Sequence, residues 1–124
     1  VSFRYFKISE FACRHCGENL IDHIFVEELD QLRHELGFPL IVSSGYRCPE
    51  YNKQVAHTGE KGPHTTGRAV DLSVAREQAY KVIRLATEKG FTGIGVSQKG
   101  ESRFLHLDNL PNAPGQPRPT IWSY

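Results

Sequence analysis

Residues 22–36 constrain the fold more than any other stretch. Phe25, Leu29, Leu32 and Leu36 recur there at helical spacing, so one helix face is apolar and needs a partner. Asp22 stands where an N-cap belongs, Gly37 stands where a C′ residue belongs, and Pro39 stops any continuation. The other elements are shorter. Residues 1–20 read as a short strand or extended segment, then a turn at Gly17. Residues 40–43 read as a short buried strand, and 50–56 as a short helix after the turn residues Gly45 and Pro49. Residues 57–67 hold three glycines and a proline and read as a loop. Residues 69–74 alternate as a strand, with Ala69, Asp71 and Ser73 on one face and Val70, Leu72 and Val74 on the other.

A second helix is expected over 76–89, with Ala79, Val82, Ile83 and Ala86 inward and Gly90 at its end. Strands follow at 92–96 and 103–107, around a polar turn at residues 99–100. The tail over 111–119 is proline-rich and reads as extended, docked by Ile121, Trp122 and Tyr124. This mixed order makes the class α+β, a small antiparallel sheet packed on two main helices. A chain of 124 residues has room for one core, so residues 1–124 read as a single domain.

Fifteen basic against fourteen acidic side chains leave a net charge of +1. No field of one sign is available to draw in nucleic acid. No apolar run approaches the roughly 20 residues that span a bilayer, so membrane insertion is not expected. The chain begins at Val1 with no charged start leading into an apolar stretch, so no signal peptide is visible. Monomer is the default oligomeric state. The three cysteines are an odd count: Cys13 and Cys16 form a C-x-x-C, and Cys48 stands apart. One disulfide with a free thiol, a reduced trio, and a cysteine-rich metal knuckle all fit that count.

Chemistry concentrates in His64, Asp71 and His106. Two imidazoles and a carboxylate suit a borderline-soft cation such as Zn²⁺, and three protein ligands leave one coordination position for water or substrate. Asp71 lies on the strand that the His64 loop feeds. His106 and Asp108 alternate with Leu105 and Leu107, so the two polar groups share a face that would line a cleft. His15, His23 and His34 are assigned to surface or local roles, and His57 shares the glycine-rich loop with His64.

The segments Ser43-Ser44-Gly45-Tyr46-Arg47, His64-Thr65-Thr66-Gly67-Arg68-Ala69-Val70-Asp71 and Phe104-Leu105-His106-Leu107-Asp108 occur in an order that resembles the zinc D-Ala-D-Ala carboxypeptidase family. This M15-type group includes phage endolysins that cut peptidoglycan stem peptides, and it shares its fold with hedgehog-like domains. The resemblance runs from about Phe6 to Leu110. It implies that His64, Asp71 and His106 are zinc ligands and that Arg47 holds a substrate carboxylate or carbonyl, a task suited to a guanidinium fork. Gly67 is then expected to allow close backbone approach beside the metal, and Gly45 to make the turn that aims Arg47.

Two positions depart from the family pattern. Many relatives carry an acid three residues before the last ligand, where this chain has Arg103. Many also carry a serine two residues before the first ligand, where this chain has Gly62. A peptide-cleaving metal site needs a group to move protons, and the nearest candidates here are Asp108, favoured by strand geometry, and Glu101 in the turn before it. Asp108 fits support of a ligand equally well. Cys13 and Cys16 with Cys48 fit either part of a structural zinc site or buried and paired thiols; a Cys48 bond to either would tether the N-terminal segment to the arginine turn.

The expected function is zinc-dependent hydrolysis of peptidoglycan stem peptides, of D-Ala-D-Ala carboxypeptidase or L-Ala-D-Glu endopeptidase type. The place of action would be the cell envelope or periplasm, or the wall attacked by a phage-encoded enzyme. The alternative is a non-catalytic zinc-binding module that recognises wall peptide or a protein partner. A weaker reading makes the chain a structural phage component that uses its metal only for folding.

Overall fold

The computed structural model describes residues 2–124. Asp22 caps the first helix as the sequence requires, its Oδ2 accepting from the Phe25 N–H at 2.9 Å. This helix, α1, runs His23–Leu36 and closes on Gly37 in the left-handed region. It buries Phe25, Val26, Leu29 and Leu32. Helix α2, Pro49–Val55, is short, and α3, Arg76–Glu88, buries Ala79, Val82 and Ala86.

Five strands form one sheet: β1 Ile41–Ser44, β2 Ala69–Ser73, β3 Gly93–Ser97, β4 Phe104–Asp108 and β5 Thr120–Ser123. Their order is β1-β2-β4-β3-β5. The architecture is α+β, and the sheet is antiparallel except where β5 runs parallel to β3. Strand alternation divides its residues cleanly. Val70, Leu72, Ile94, Leu105 and Leu107 join the core with α1 and α3. Asp71, His106 and Asp108 therefore point to the opposite face. Register aligns them further, because Asp71 faces His106, His106 faces Gly95, and Gly95 faces Trp122. One transverse row thus carries two polar side chains, a gap and an indole.

Two segments differ from the sequence expectation. Residues 8–11 form a 3-10 turn rather than an extended segment, because the Glu10 carboxylate reaches back to the Lys7 N–H at 2.7 Å. The tail does more than dock. Ala113 and Gln116 exchange backbone hydrogen bonds that reverse the chain around Gly115, and Thr120 N–H then bonds to the Thr92 carbonyl at 2.8 Å. Pairing of β5 covers the open edge of β3, an edge that would otherwise offer unpaired backbone groups.

The two glycines singled out beside the site serve chain packing. A Cβ at Gly45 would overlap the backbone of Phe11, and Tyr46 N–H bonds to the Phe11 carbonyl at 2.8 Å. Gly67 has φ +76, and a Cβ there would overlap the Leu20 carbonyl. Each lets an N-terminal segment close onto a site-bearing loop.

A second, smaller cluster holds Cys13, Tyr46 and Cys48, with Tyr51 packed against it. Burial alone would raise the Cys13 thiol, but backbone N–H groups of Cys48, Cys16 and His15 outweigh it and bring the pKa down to about 7.

Candidate metal centre

Three lone pairs converge on one point. His64 Nε2 and Asp71 Oδ1 lie 3.2 Å apart, His106 Nδ1 and Asp71 Oδ1 3.3 Å, and His106 Nδ1 and His64 Nε2 3.3 Å. Four ligands placed tetrahedrally at zinc-like distances of roughly 2.0–2.1 Å are separated by about 3.3 Å. The triangle therefore has the edge length of a zinc coordination face. His64 is brought to it by the 3-10 turn Pro63–Thr66, and the other two side chains by facing positions on β2 and β4.

The protons are arranged to match. His64 Nδ1 lies 2.8 Å from the Gly45 carbonyl, which can only accept, so Nδ1 carries the hydrogen and Nε2 is left bare. His106 Nε2 lies 2.7 Å from Asp108 Oδ2, which by the same logic leaves Nδ1 bare. Each imidazole thus turns its unprotonated nitrogen inward, as metal-ligating histidines fixed by an outer acceptor do. Asp71 Oδ2 is held by the Arg47 guanidinium at 3.3 Å, while Oδ1 is buried with no hydrogen-bond partner. A buried carboxylate oxygen left without a partner is costly unless a cation meets it. The donor set and the orphaned oxygen both fit a divalent metal.

The titration of these groups follows their surroundings. Burial holds His64 below its ordinary value. Burial would lower His106 too, but the carboxylates of Asp108 and Asp71 prevail and raise it. Burial opposes ionisation of Asp71, yet the two imidazoles beside it keep its carboxyl well below the usual carboxylate range.

Asp108 sits behind His106. It is fully buried, and its two oxygens take bonds from His106 Nε2, the Leu110 N–H, and Nε and Nη2 of Arg118 at 2.9 and 2.8 Å. No face of this carboxylate is left for a water or a substrate. Arg118 also lies over the Trp122 ring, whose centroid is 5.2 Å away, and Trp122 packs on His106 at 4.9 Å. Strand β3 leaves room for this stack with two glycines. A Cβ at Gly93 would overlap the Asp108 carboxylate, and one at Gly95 would overlap the Trp122 indole. Gly93→Ala is expected to cost about 1–3 kcal/mol, as overpacking does, and to weaken metal binding by shifting Asp108 off His106. Urea unfolding together with zinc titration checks this; unchanged values for both would contradict the packing.

Burial raises the Asp108 carboxyl, but His106 and Arg118 outweigh it and hold it near 2, against an ordinary 3.8. A depressed folded pKa contributes stability that is whole above the ordinary value and is lost as the pH falls through about 2. Replacing Arg118 moves that loss upward. The acid-unfolding midpoint of Arg118→Met, followed by circular dichroism, is therefore expected above that of the wild type.

The triangle borders a cleft of about 800 Å³. Its walls come from the loop carrying His57, Thr58 and Lys61 and from the tail, including Arg118, Trp122 and Tyr124. Residues 97–102 contribute nothing to them. Glu101 is exposed in the turn between β3 and β4 and lies outside the cleft lining. Arg103 is partly buried, its Nε bonding to the Gly100 carbonyl at 2.9 Å. Arg47 lines the cleft and is held from three sides: Nε donates to Ser44 Oγ at 3.1 Å, Nη1 to Asn52 Oδ1 at 3.2 Å, and Nη2 to Asp71. Asn52 is buried and also ties down the His57 loop through Thr58 Oγ1 and the Gly59 carbonyl. Burial pushes the Tyr124 phenol up, so it remains a donor at neutral pH.

Arg118, Trp122 and Asn52 were not among the site residues read from the sequence. The first two sit in a proline-rich tail without periodicity. Gly93-x-Gly95 did carry a signal, since period-2 glycines beside an H-x-D strand mark where large side chains are seated.

A possible three-ligand metal site beside a cleft, on an α+β frame, suits metal-dependent hydrolysis. A family model described as Peptidase M15 matches residues 4–108, and the chain belongs to that family of metallopeptidases. Its members are metal-dependent, and here His64, Asp71 and His106 form a possible metal site. No match was found among curated proteins or among solved structures.

Proposed function

We propose that this chain is a zinc-dependent peptidase that hydrolyses peptide bonds in the stem peptides of bacterial peptidoglycan, as a D-Ala-D-Ala carboxypeptidase or an L-Ala-D-Glu endopeptidase. The observation that carries the proposal is the triangle of His64 Nε2, Asp71 Oδ1 and His106 Nδ1, with edges of 3.2–3.3 Å beside a cleft. Bound there, zinc supplies Lewis-acid activation of water and of the scissile carbonyl.

The chain's own groups prepare that chemistry. The Gly45 carbonyl and Asp108 fix the tautomers of the two imidazoles. Asp108 acts as a positioning residue, because all its bonding directions are taken, and Glu101 stands away from the cleft; neither is assigned to proton transfer. Arg47 spends three of its five N–H groups inside the protein. The remaining two are free to grip a substrate carboxylate or carbonyl. All of these groups come from one chain, so a monomer suffices. Its place of work is the cell wall, whether reached from the cell envelope or as part of a phage.

Arg47→Lys keeps the charge and loses the fork. Charged hydrogen bonds are worth about 1.5–3 kcal/mol, so kcat/KM is expected to fall roughly 10–100-fold, mostly through KM. An unchanged KM would remove Arg47 from the substrate site.

A second reading, a non-catalytic module that binds wall peptide, is favoured by one observation: among the described residues, Asp71 is the only acidic side chain lining the cleft. Purified muropeptides incubated with zinc-loaded protein separate the two. Cleavage products in mass spectra, lost with a chelator and restored by zinc, support the peptidase. Binding without cleavage supports the module. Loss of the His64 metal alone, as in His64→Ala/His106→Ala, is expected to leave the helical circular dichroism largely intact, unlike removal of a folding metal.

A further inference from the structure

We infer that Cys13, Cys16 and Cys48, with His15 as fourth ligand, form a second, structural zinc site that clamps the N-terminal segment to the loop carrying Arg47. The three sulfurs lie within 4.8 Å of one another. His15 Nδ1 lies 4.0 Å from Cys48 Sγ. Tetrahedral zinc with sulfur at about 2.3 Å and nitrogen at about 2.0 Å separates sulfur from sulfur by about 3.8 Å and sulfur from nitrogen by about 3.5 Å. A contraction of an ångström or less brings the three sulfurs to that spacing, and about half an ångström brings His15 Nδ1 to it against Cys48.

Backbone groups close the turn and face two of the sulfurs. The Cys13 turn is closed by Gly17 N–H on the Cys13 carbonyl at 2.9 Å and by Cys13 N–H on the Glu18 carbonyl at 2.8 Å. Cys48 N–H points at Cys13 Sγ and Tyr51 N–H at Cys48 Sγ, each at 3.4 Å. Backbone donors aimed at sulfur stabilise its charged form. The His15 ring is stacked on Tyr51, with centroids 5.3 Å apart and planes 2° from parallel, which holds its nitrogen beside Cys48.

The site also has a mechanical purpose. Cys48 follows Arg47 directly and caps α2, which carries Asn52. Cys13 and Cys16 belong to a segment outside the sheet. A metal joining them closes a loop of more than thirty residues around α1 and fixes the base of Arg47; three thiols release their protons as it binds. Metal staples of this kind support small domains whose core alone gives little margin.

The site stands apart from the His64 centre, so the two are measured separately. The full chain, purified with zinc under reducing conditions, is expected to hold two zinc ions, and His64→Ala/His106→Ala to keep one. X-ray absorption of that double variant is expected to show sulfur near 2.3 Å as the main ligand. Cys16→Ser, at an exposed position, is expected to lose this zinc while the His64 site stays loaded. Should the double variant fail to fold, cobalt substitution of the wild type gives the same answer through a thiolate-to-cobalt charge-transfer band that Cys16→Ser removes. The inference is overturned if zinc-loaded protein leaves all three thiols freely reactive, if cobalt gives no thiolate band, or if protein purified without reductant contains a disulfide within the trio and binds zinc only at His64.

Discussion

His106→Ala is expected to hold no zinc beside His64 and Asp71 and to cleave no muropeptide. The loss should exceed the roughly 10–100-fold in metal affinity that removing an outer hydrogen-bond partner costs, because a direct ligand disappears and two donors remain. His64→Ala and Asp71→Ala are expected to behave alike, since each side of the triangle measures 3.2–3.3 Å and none is spare. Asp108→Asn provides the graded control. It retains all three ligands, loses the charged acceptor on His106 Nε2, and belongs in the 10–100-fold range. Isothermal titration with zinc and a muropeptide assay on the same preparations read both quantities. One alanine variant that kept both zinc and cleavage would break the ligand assignment.

Arg118→Met is expected to cost roughly 3–5 kcal/mol of stability, the range for breaking a buried ion pair from one side. The reason is Asp108, fully buried, which loses both guanidinium bonds and keeps its charge. The double variant Asp108→Asn/Arg118→Met removes both charges and is expected to recover part of the loss. Zinc affinity should fall in Arg118→Met as well, since Asp108 is then no longer held in place against His106. Urea unfolding of the two variants decides the matter. A loss below about 1 kcal/mol would make the pair a surface-like contact, against its burial.

The placing of Asp71 and His106 on one face was legible because alternation is strict, whereas His64, on a loop, was singled out by the family resemblance. Once residues 103–107 read as a strand, His106 and Asp108 had to share a face, and Asp71 had to oppose its apolar neighbours on the next strand. Helix α1 was legible from Phe25, Leu29, Leu32 and Leu36 between Asp22 and Gly37. What escaped depends on pairing at long range. Nothing local in Thr120–Ser123 specifies a parallel partner, and β3 has one edge for it because β4 holds the other. Arg118 therefore gave no sign of its tie to Asp108, and Asp108 retained a catalytic reading that its filled hydrogen-bond shell does not support. The 3-10 turn at Ile8–Phe11 was missed for the opposite reason. A local Glu10 bond outweighed the aromatic residues that had read as extended.

The cleft itself belongs to segments that periodicity cannot describe. Asn52, one buried amide, joins Arg47 to the His57 loop. The tail supplies the other wall, outside the stretch matched by the family model. Substrate choice should therefore respond to changes in residues 57–62 and in the tail, while metal binding should not.

Anomalous diffraction at the zinc edge from zinc-loaded crystals locates the metal itself. A peak is expected within about 2.0–2.2 Å of His64 Nε2, Asp71 Oδ1 and His106 Nδ1, with its fourth side toward the cleft. A peak absent from that point, or ligated through His64 Nδ1 or His106 Nε2, would contradict it.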